Sequence, residues 1–144
     1  MRIIILIAVF LPFVGCAPKA AKNTEKLSEI LTHKRWKYDG ETMQEILAIN
    51  NQDGKIEQRM KRNISQMEGG HFIFNPDGRL QILLPKINIR GDWSIDADGS
   101  HLNLKVDGSI NVKHPIIEYN DQMIKLDIDS KGTSFPRVFV PAEI

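Results

Sequence analysis

The chain has 144 residues, with 19 basic and 18 acidic side chains and a formal charge of +1. That balance excludes the strongly basic surface that seeks nucleic acid, and the length suits one domain able to bury roughly two thirds of its unfolded surface without a metal. Cys16 is the only cysteine, so no disulfide can form within the chain.

Met1-Arg2 supplies one positive charge, residues 3–15 carry none, and Phe13-Val14-Gly15-Cys16 ends the segment on a small residue. A basic start, an apolar middle of about 7–15 residues and a small-residue cleavage site form the layout of a secretory signal. The run is too short for a membrane span, which needs about 20 apolar residues. Residues 1–15 are therefore expected to be removed. Phe13-Val14-Gly15-Cys16 resembles the lipobox of bacterial lipoproteins, with Phe13 where Leu is usual. That resemblance implies acylation of Cys16 and attachment to a membrane through it. Ala17 is not an inner-membrane retention Asp, which implies the outer membrane, and no acidic stretch follows to direct export to the cell surface, which implies that the domain faces the periplasm. Residues 16–28 read as a flexible tether, because the stretch to Lys26 is small and polar without an apolar face. Removing residues 1–15 deletes Arg2 and no acid, so the mature chain is formally neutral.

Residues 41–68 read as helix. Ile56, Met60, Ile64 and Met67 form one stripe on a 3.6-residue period, Asp53-Gly54 interrupts an earlier piece carrying Ile46, Leu47 and Ile49, and Gly69-Gly70 stops the later one. The stripe either packs against a sheet or caps its interior.

From His71 the period becomes two. Ile87, Ile89, Gly91, Trp93 and Ile95 alternate with polar residues, as do Leu102, Leu104 and Val106, and then Ile124, Leu126 and Ile128. Asn75-Pro76-Asp77-Gly78, Asp98-Gly99, Asp107-Gly108 and Asn120-Asp121 mark reversals. With Trp36 on an opening strand, the expected strands are 35–40, 71–75, 79–84, 87–95, 101–106, 110–118, 122–129 and 134–140. Consecutive hairpins of this number make an all-β, antiparallel up-and-down meander that can close into a barrel, with a helical insertion after the first strand. The domain is expected over residues 29–144.

Trp36, Met67-Glu68-Gly69-Gly70, Phe72-Ile73-Phe74-Asn75-Pro76-Asp77-Gly78, Gly91-Asp92-Trp93-Ser94-Ile95, Asp98-Gly99-Ser100-His101-Leu102, Ile117-Glu118-Tyr119-Asn120-Asp121-Gln122-Met123 and Phe139-Val140-Pro141-Ala142 resemble the lipocalin-like domain of Bacteroidetes lipoproteins. The likeness covers roughly residues 30–143 and consists of turn and strand signals, so it implies a fold rather than an activity.

No catalytic residue is expected. Ser65, Ser94, Ser100, Ser109, Ser130 and Ser134 lie in no Gly-x-Ser-x-Gly elbow, and His33, His71, His101 and His114 lack the spacing of a helical metal pair, so they read as surface or partly buried strand residues. Aligning Gly54 or Gly99 as the sixth position of a calcium loop puts Met60 or Lys105 where its bidentate Glu belongs, and Asn63-Ile64-Ser65 lies inside an expected helix. No cofactor, metal or nucleic acid is implied.

Alternation turns Trp36, Phe72, Phe74 and Trp93 to one face, where they either fill a barrel core or line an apolar pocket. Two functions follow: a module holding a small apolar or amphipathic ligand against those rings, or an envelope scaffold that docks a protein. The meander should also bring the turns of Asp77, Asp96, Asp98 and Asp121 to one end. Those carboxylates are either routine turn residues or an acidic rim for a cation or basic partner.

Overall fold

The structure, a computed structural model, describes residues 19–49, 54–108, 111–127, 129–130, 133–134 and 136–143. The signal segment and Cys16 lie outside the described residues.

Eight antiparallel strands close into a barrel. In chain order they are β1 (Arg35–Tyr38), β2 (His71–Phe74), β3 (Arg79–Leu83), β4 (Asn88–Ile95), β5 (His101–Val106), β6 (Val112–Tyr119), β7 (Ile124–Leu126) and, after a two-stranded hairpin of β8 (Asp129–Ser130) and β9 (Thr133–Ser134), β10 (Arg137–Pro141). Each strand pairs with the next from β1 to β7, and β10 joins β7 to β1, with Trp36 opposite both Phe72 and Pro141. The all-β meander with a helical insertion after the first strand is therefore the fold observed, and closure leaves no open edge in the barrel.

The strand expected over 122–129 is shorter. Asn120 accepts amide hydrogens from Gln122 and Met123 on its side chain, so the turn extends to Met123, and Asp129 already belongs to the β8–β9 hairpin. Asn103, expected on the wet face of β5, is buried because Asp96 folds over it and accepts a hydrogen bond from its Nδ2 at 2.7 Å.

The tether expected over residues 16–28 is corrected by helix α1 (Lys19–His33), which contains most of it. Leu27 and Leu31, four apart on one helical face, are fully buried in the main core beside Trp36 and Phe72. The apolar set Leu27, Ile30 and Leu31 carries the helical spacing across residue 28, the expected end of the tether.

After β1 the chain turns into α2 (Gly40–Ile49) and α3 (Gly54–Met67). Asp39 caps α2: its Oδ1 accepts the Thr42 amide at 3.1 Å and its Oδ2 the Thr42 hydroxyl at 2.6 Å. Val138 and Phe139 are neighbours on β10 and face opposite sides. Phe139 points into the barrel core, whereas Val138 meets Met43, Leu47 and Ile64. The helical pair thus covers the outer wall, with Met60 of the stripe at its edge, while Met67 reaches the main core.

Gly91 permits the close approach of β4 to β5, because a Cβ there would run into the Lys105 carbonyl oxygen and lie 2.9 Å from the Val106 Cα. Both obstacles are backbone. Gly91→Ala is expected to cost about 1–3 kcal/mol or more in denaturant unfolding, whereas Gly54→Ala, with open space around it, should cost nothing.

Candidate functional site

Antiparallel order sorts the connections into two ends. The turns at 75–78, 96–100 and 120–123 share one end, and the connections that follow β3, β5 and β7, together with the departure to α2, share the other.

Helix α1 covers the first end. Leu27 and Leu31 insert into the core, the Trp36 indole donates to the Leu31 carbonyl at 3.1 Å, the Tyr119 hydroxyl donates to the Asn23 carbonyl at 3.3 Å, and Lys34 Nζ donates to the Asp121 carbonyl at 2.6 Å. The four candidate lining residues, Trp36, Phe72, Phe74 and Trp93, are all buried in this core. Phe74 and Trp93 meet edge to face at 5.5 Å, and Phe72 and Phe139 at 4.9 Å. The Trp93 indole donates to the Asn75 carbonyl at 2.9 Å. Both indole N–H groups are therefore satisfied by backbone, and the rings contact one another.

The acidic turn residues have local partners. Asp77 accepts the Arg79 amide and lies 3.5 Å from its guanidinium, and Asp98 accepts both the amide and hydroxyl of Ser100. Asp96 receives Asn103 and Lys113, with His101 at 3.5 Å. Hydrogen bonds from Asn103 and Lys113 hold the Asp96 carboxyl below the usual range, and those from Ser100 do the same for Asp98. Cations thus accompany the Asp77 and Asp96 carboxylates at this end, while Lys34 bonds the main-chain carbonyl of Asp121 and the Asp121 carboxylate receives Gln122 Nε2.

Polar side chains enter the barrel through three strand ends on the opposite side. Tyr38 ends β1, Arg137 begins β10, and His114 is the third residue of β6. Their inward orientation follows from register: Tyr38 is opposite Phe139, Arg137 opposite Leu126 and His114 opposite Leu102, all core residues. Tyr38 packs against Phe72 and Phe139 at 5.0 and 4.8 Å, and the Arg137 guanidinium lies 5.9 Å from its ring centroid, within cation–π range. Burial pushes the Tyr38 phenol up, and the Arg137 charge offsets this only in part.

His114 is 2% exposed, and its Nδ1 is buried with no hydrogen-bond partner among the described residues. Burial first, and the Arg137 charge second, push the imidazole down to about 4, against a hydrogen bond to the Asp127 main chain. His114 is consequently neutral at pH 7. Among the described residues no carboxylate forms an ion pair with Arg137. Val112, opposite Leu104 and two residues before His114, is 47% exposed where these strands open, and Ile87 is 58% exposed in another turn of the same end. The result is an inward-facing cation and an unpaired imidazole nitrogen at an end with apolar groups at its rim.

Of this group only His114 stands out in the sequence, as a surface or partly buried strand residue. The alternation Val112, His114, Ile116 is the signal that could have turned it inward. No group of three or more His, Cys, Asp or Glu suited to a metal occurs among the described residues, and no helix there is long and apolar enough to cross a membrane.

No family model and no curated protein matches the sequence. The fold is similar to the 1.00 Å crystal structure of a DUF4847 family protein from Bacteroides vulgatus ATCC 8482, with a TM-score of 0.50 and 12% identity over 81% of this chain and 97% of that one. At that identity the likeness is one of fold alone.

Proposed function

We propose that the chain is an envelope lipoprotein whose lipocalin-like barrel binds a small amphipathic molecule through the end bearing Tyr38, His114 and Arg137. The observation that carries this reading is the inward-facing His114 with an unpartnered Nδ1 beside Arg137. Burying a polar atom without a hydrogen bond costs about 1–3 kcal/mol; His71 Nδ1 and Asn103 Oδ1 are buried and unpaired too, and His114 Nδ1 differs from them in standing beside an inward-facing cation. Such groups are expected where a ligand completes the hydrogen bonding. The role is binding rather than catalysis. The scaffold reading ranks second, because exposed Ile49 and Ile117 are the kind of scattered apolar residues found on any surface.

Native mass spectrometry of protein purified from its own membrane is expected to show a retained small molecule that denaturation releases. Finding none, together with no saturable change in tryptophan fluorescence on titration with amphipathic probes, would overturn the reading.

Attachment through lipid on Cys16 in the outer membrane, facing the periplasm, belongs to the same proposal and rests on Phe13-Val14-Gly15-Cys16. Cys16→Ser is expected to abolish acylation and move the protein from the membrane to the soluble fraction, as several acyl chains contribute about 0.8 kcal/mol per buried CH₂. A native chain that lacks acyl mass at residue 16 would refute the attachment.

A further inference from the structure

We infer that the bilayer surface is the partner of the α1-covered end: helix α1 is a rigid bracket that seats this end of the barrel on the lipid headgroups and turns the other end to the aqueous side. The inference rests on lipid attachment through Cys16, proposed above, and adds how the barrel stands on the membrane.

The position of α1 carries the argument. Its first residue, Lys19, follows Cys16 by three positions, and the barrel holds the helix from Asn23 onward. The Asn23 carbonyl accepts the Tyr119 hydroxyl, Leu27 and Leu31 are 1% exposed in the main core, and the Leu31 carbonyl accepts the Trp36 indole N–H. Three links of backbone span at most about 11 Å in any conformation, and four helical residues rise about 6 Å. An acyl-bearing Cys16 therefore stands within about 17 Å of the Asn23 main chain, where Tyr119 bonds it. A free coil over residues 16–28, the tether expected from composition, would reach about 40 Å and impose no orientation.

Barrel height then sets which end is near. Tyr119 ends β6 at the covered end and Val112 begins the strand at the other end. Eight strand residues run about 23 Å, which exceeds the reach of the lipid link. The covered end is thus the end held at the lipid, and the end bearing Tyr38, His114 and Arg137 stands away from it. Whatever engages those groups arrives from solution rather than from the bilayer.

The surface so presented is polar. Among the described residues the exposed large apolar side chains are Ile49, Ile87, Val112 and Ile117, and Ile87 and Val112 lie at the far end. The exposed face of α1 mixes Glu25, Lys26, Glu29 and His33, and the turns of the covered end add Asp77 and Asp98. Such a face rests on zwitterionic headgroups without inserting and has no excess of cations to call for anionic lipid.

The test measures height above the bilayer at both ends. Cys16 is the only cysteine and its sulfur is taken up by the lipid, so a single introduced cysteine can be labelled alone. Ala97 is exposed in a turn of the covered end, and Lys86 is exposed in the connection after β3 at the other. Acylated Ala97→Cys and Lys86→Cys chains, each carrying a fluorescent donor, are reconstituted into phosphatidylcholine vesicles with an energy acceptor on a fraction of the headgroups. The Ala97 label is expected nearer the acceptor plane, with the Lys86 label higher by on the order of 20 Å. Inserting about twenty Gly and Ser residues after Pro18 should erase the difference, because a coil of that length has an end-to-end distance of about 25 Å and frees the barrel to turn. Equal transfer from the two labels in the chain without the insertion would overturn the bracket and leave lipid attachment intact, as would a difference that survives the insertion. Chains that lack acyl mass at residue 16 and fail to float with the vesicles would overturn both.

Discussion

Trp36→Ala is expected to lower the unfolding free energy by about 3–5 kcal/mol, the range for truncating a fully buried aromatic. Trp36 has no exposed surface, stands between Phe72 and Pro141 where β1 bridges its two neighbours, and donates through its indole to the Leu31 carbonyl of α1. Truncation opens a cavity in the wall that closes the barrel and leaves the carbonyl unpaired. Small domains are stable by only about 5–15 kcal/mol, so the loss is a large share of the total. Trp36→Phe separates the two contributions: it keeps most of the volume and should cost little beyond the hydrogen bond, on the order of 1 kcal/mol. Urea unfolding followed by circular dichroism measures both variants. A loss under about 1 kcal/mol for Trp36→Ala would show that α1 and β1 do not share one core in solution.

Acidification should destabilise the protein through His114 as the pH falls below 6.5. His114 has an ordinary value of 6.5 and is pushed to about 4 in the fold. Between those values the unfolded chain binds a proton that the folded chain refuses, so stability is fully present above pH 6.5 and declines as pH falls toward 4. Each pH unit across that interval removes about 1.4 kcal/mol, and the whole loss is on the order of 3 kcal/mol. Asp96 and Asp98, also held below their ordinary value of 3.8, act in a separate and lower window. His114→Gln should therefore flatten the urea midpoint between pH 6.5 and 4 and leave the steeper fall below that range in place. Identical pH profiles for wild type and His114→Gln would mean that the imidazole is solvated rather than enclosed by the barrel.

The strands and turns were legible because their signals are local. Alternation along Ile89, Gly91, Trp93 and Ile95 fixes which side of β4 is dry, and Asn75-Pro76-Asp77-Gly78 places the Gly78 φ of 84° where a reversal needs it. The count of strands, their antiparallel order and the helical insertion follow from such patterns. The same patterns place Trp36, Phe72, Phe74 and Trp93 on the inner face.

Three things depended on contacts between distant segments. Helix α1 is fixed by Leu27 and Leu31 against a barrel built from the rest of the chain, and its polar amino-terminal half has no local pattern to reveal that. The stripe of α3 reads alike whether it caps an interior or covers a wall, and only Val138 on the outer face of β10 makes it the wall. His114 and Arg137 follow Tyr38 by 76 and 99 positions in the sequence, and barrel closure through β10 brings the three together. A period-two pattern states whether a residue faces in or out. Which other inward residues it meets is set by register and closure, and these are properties of the assembled sheet.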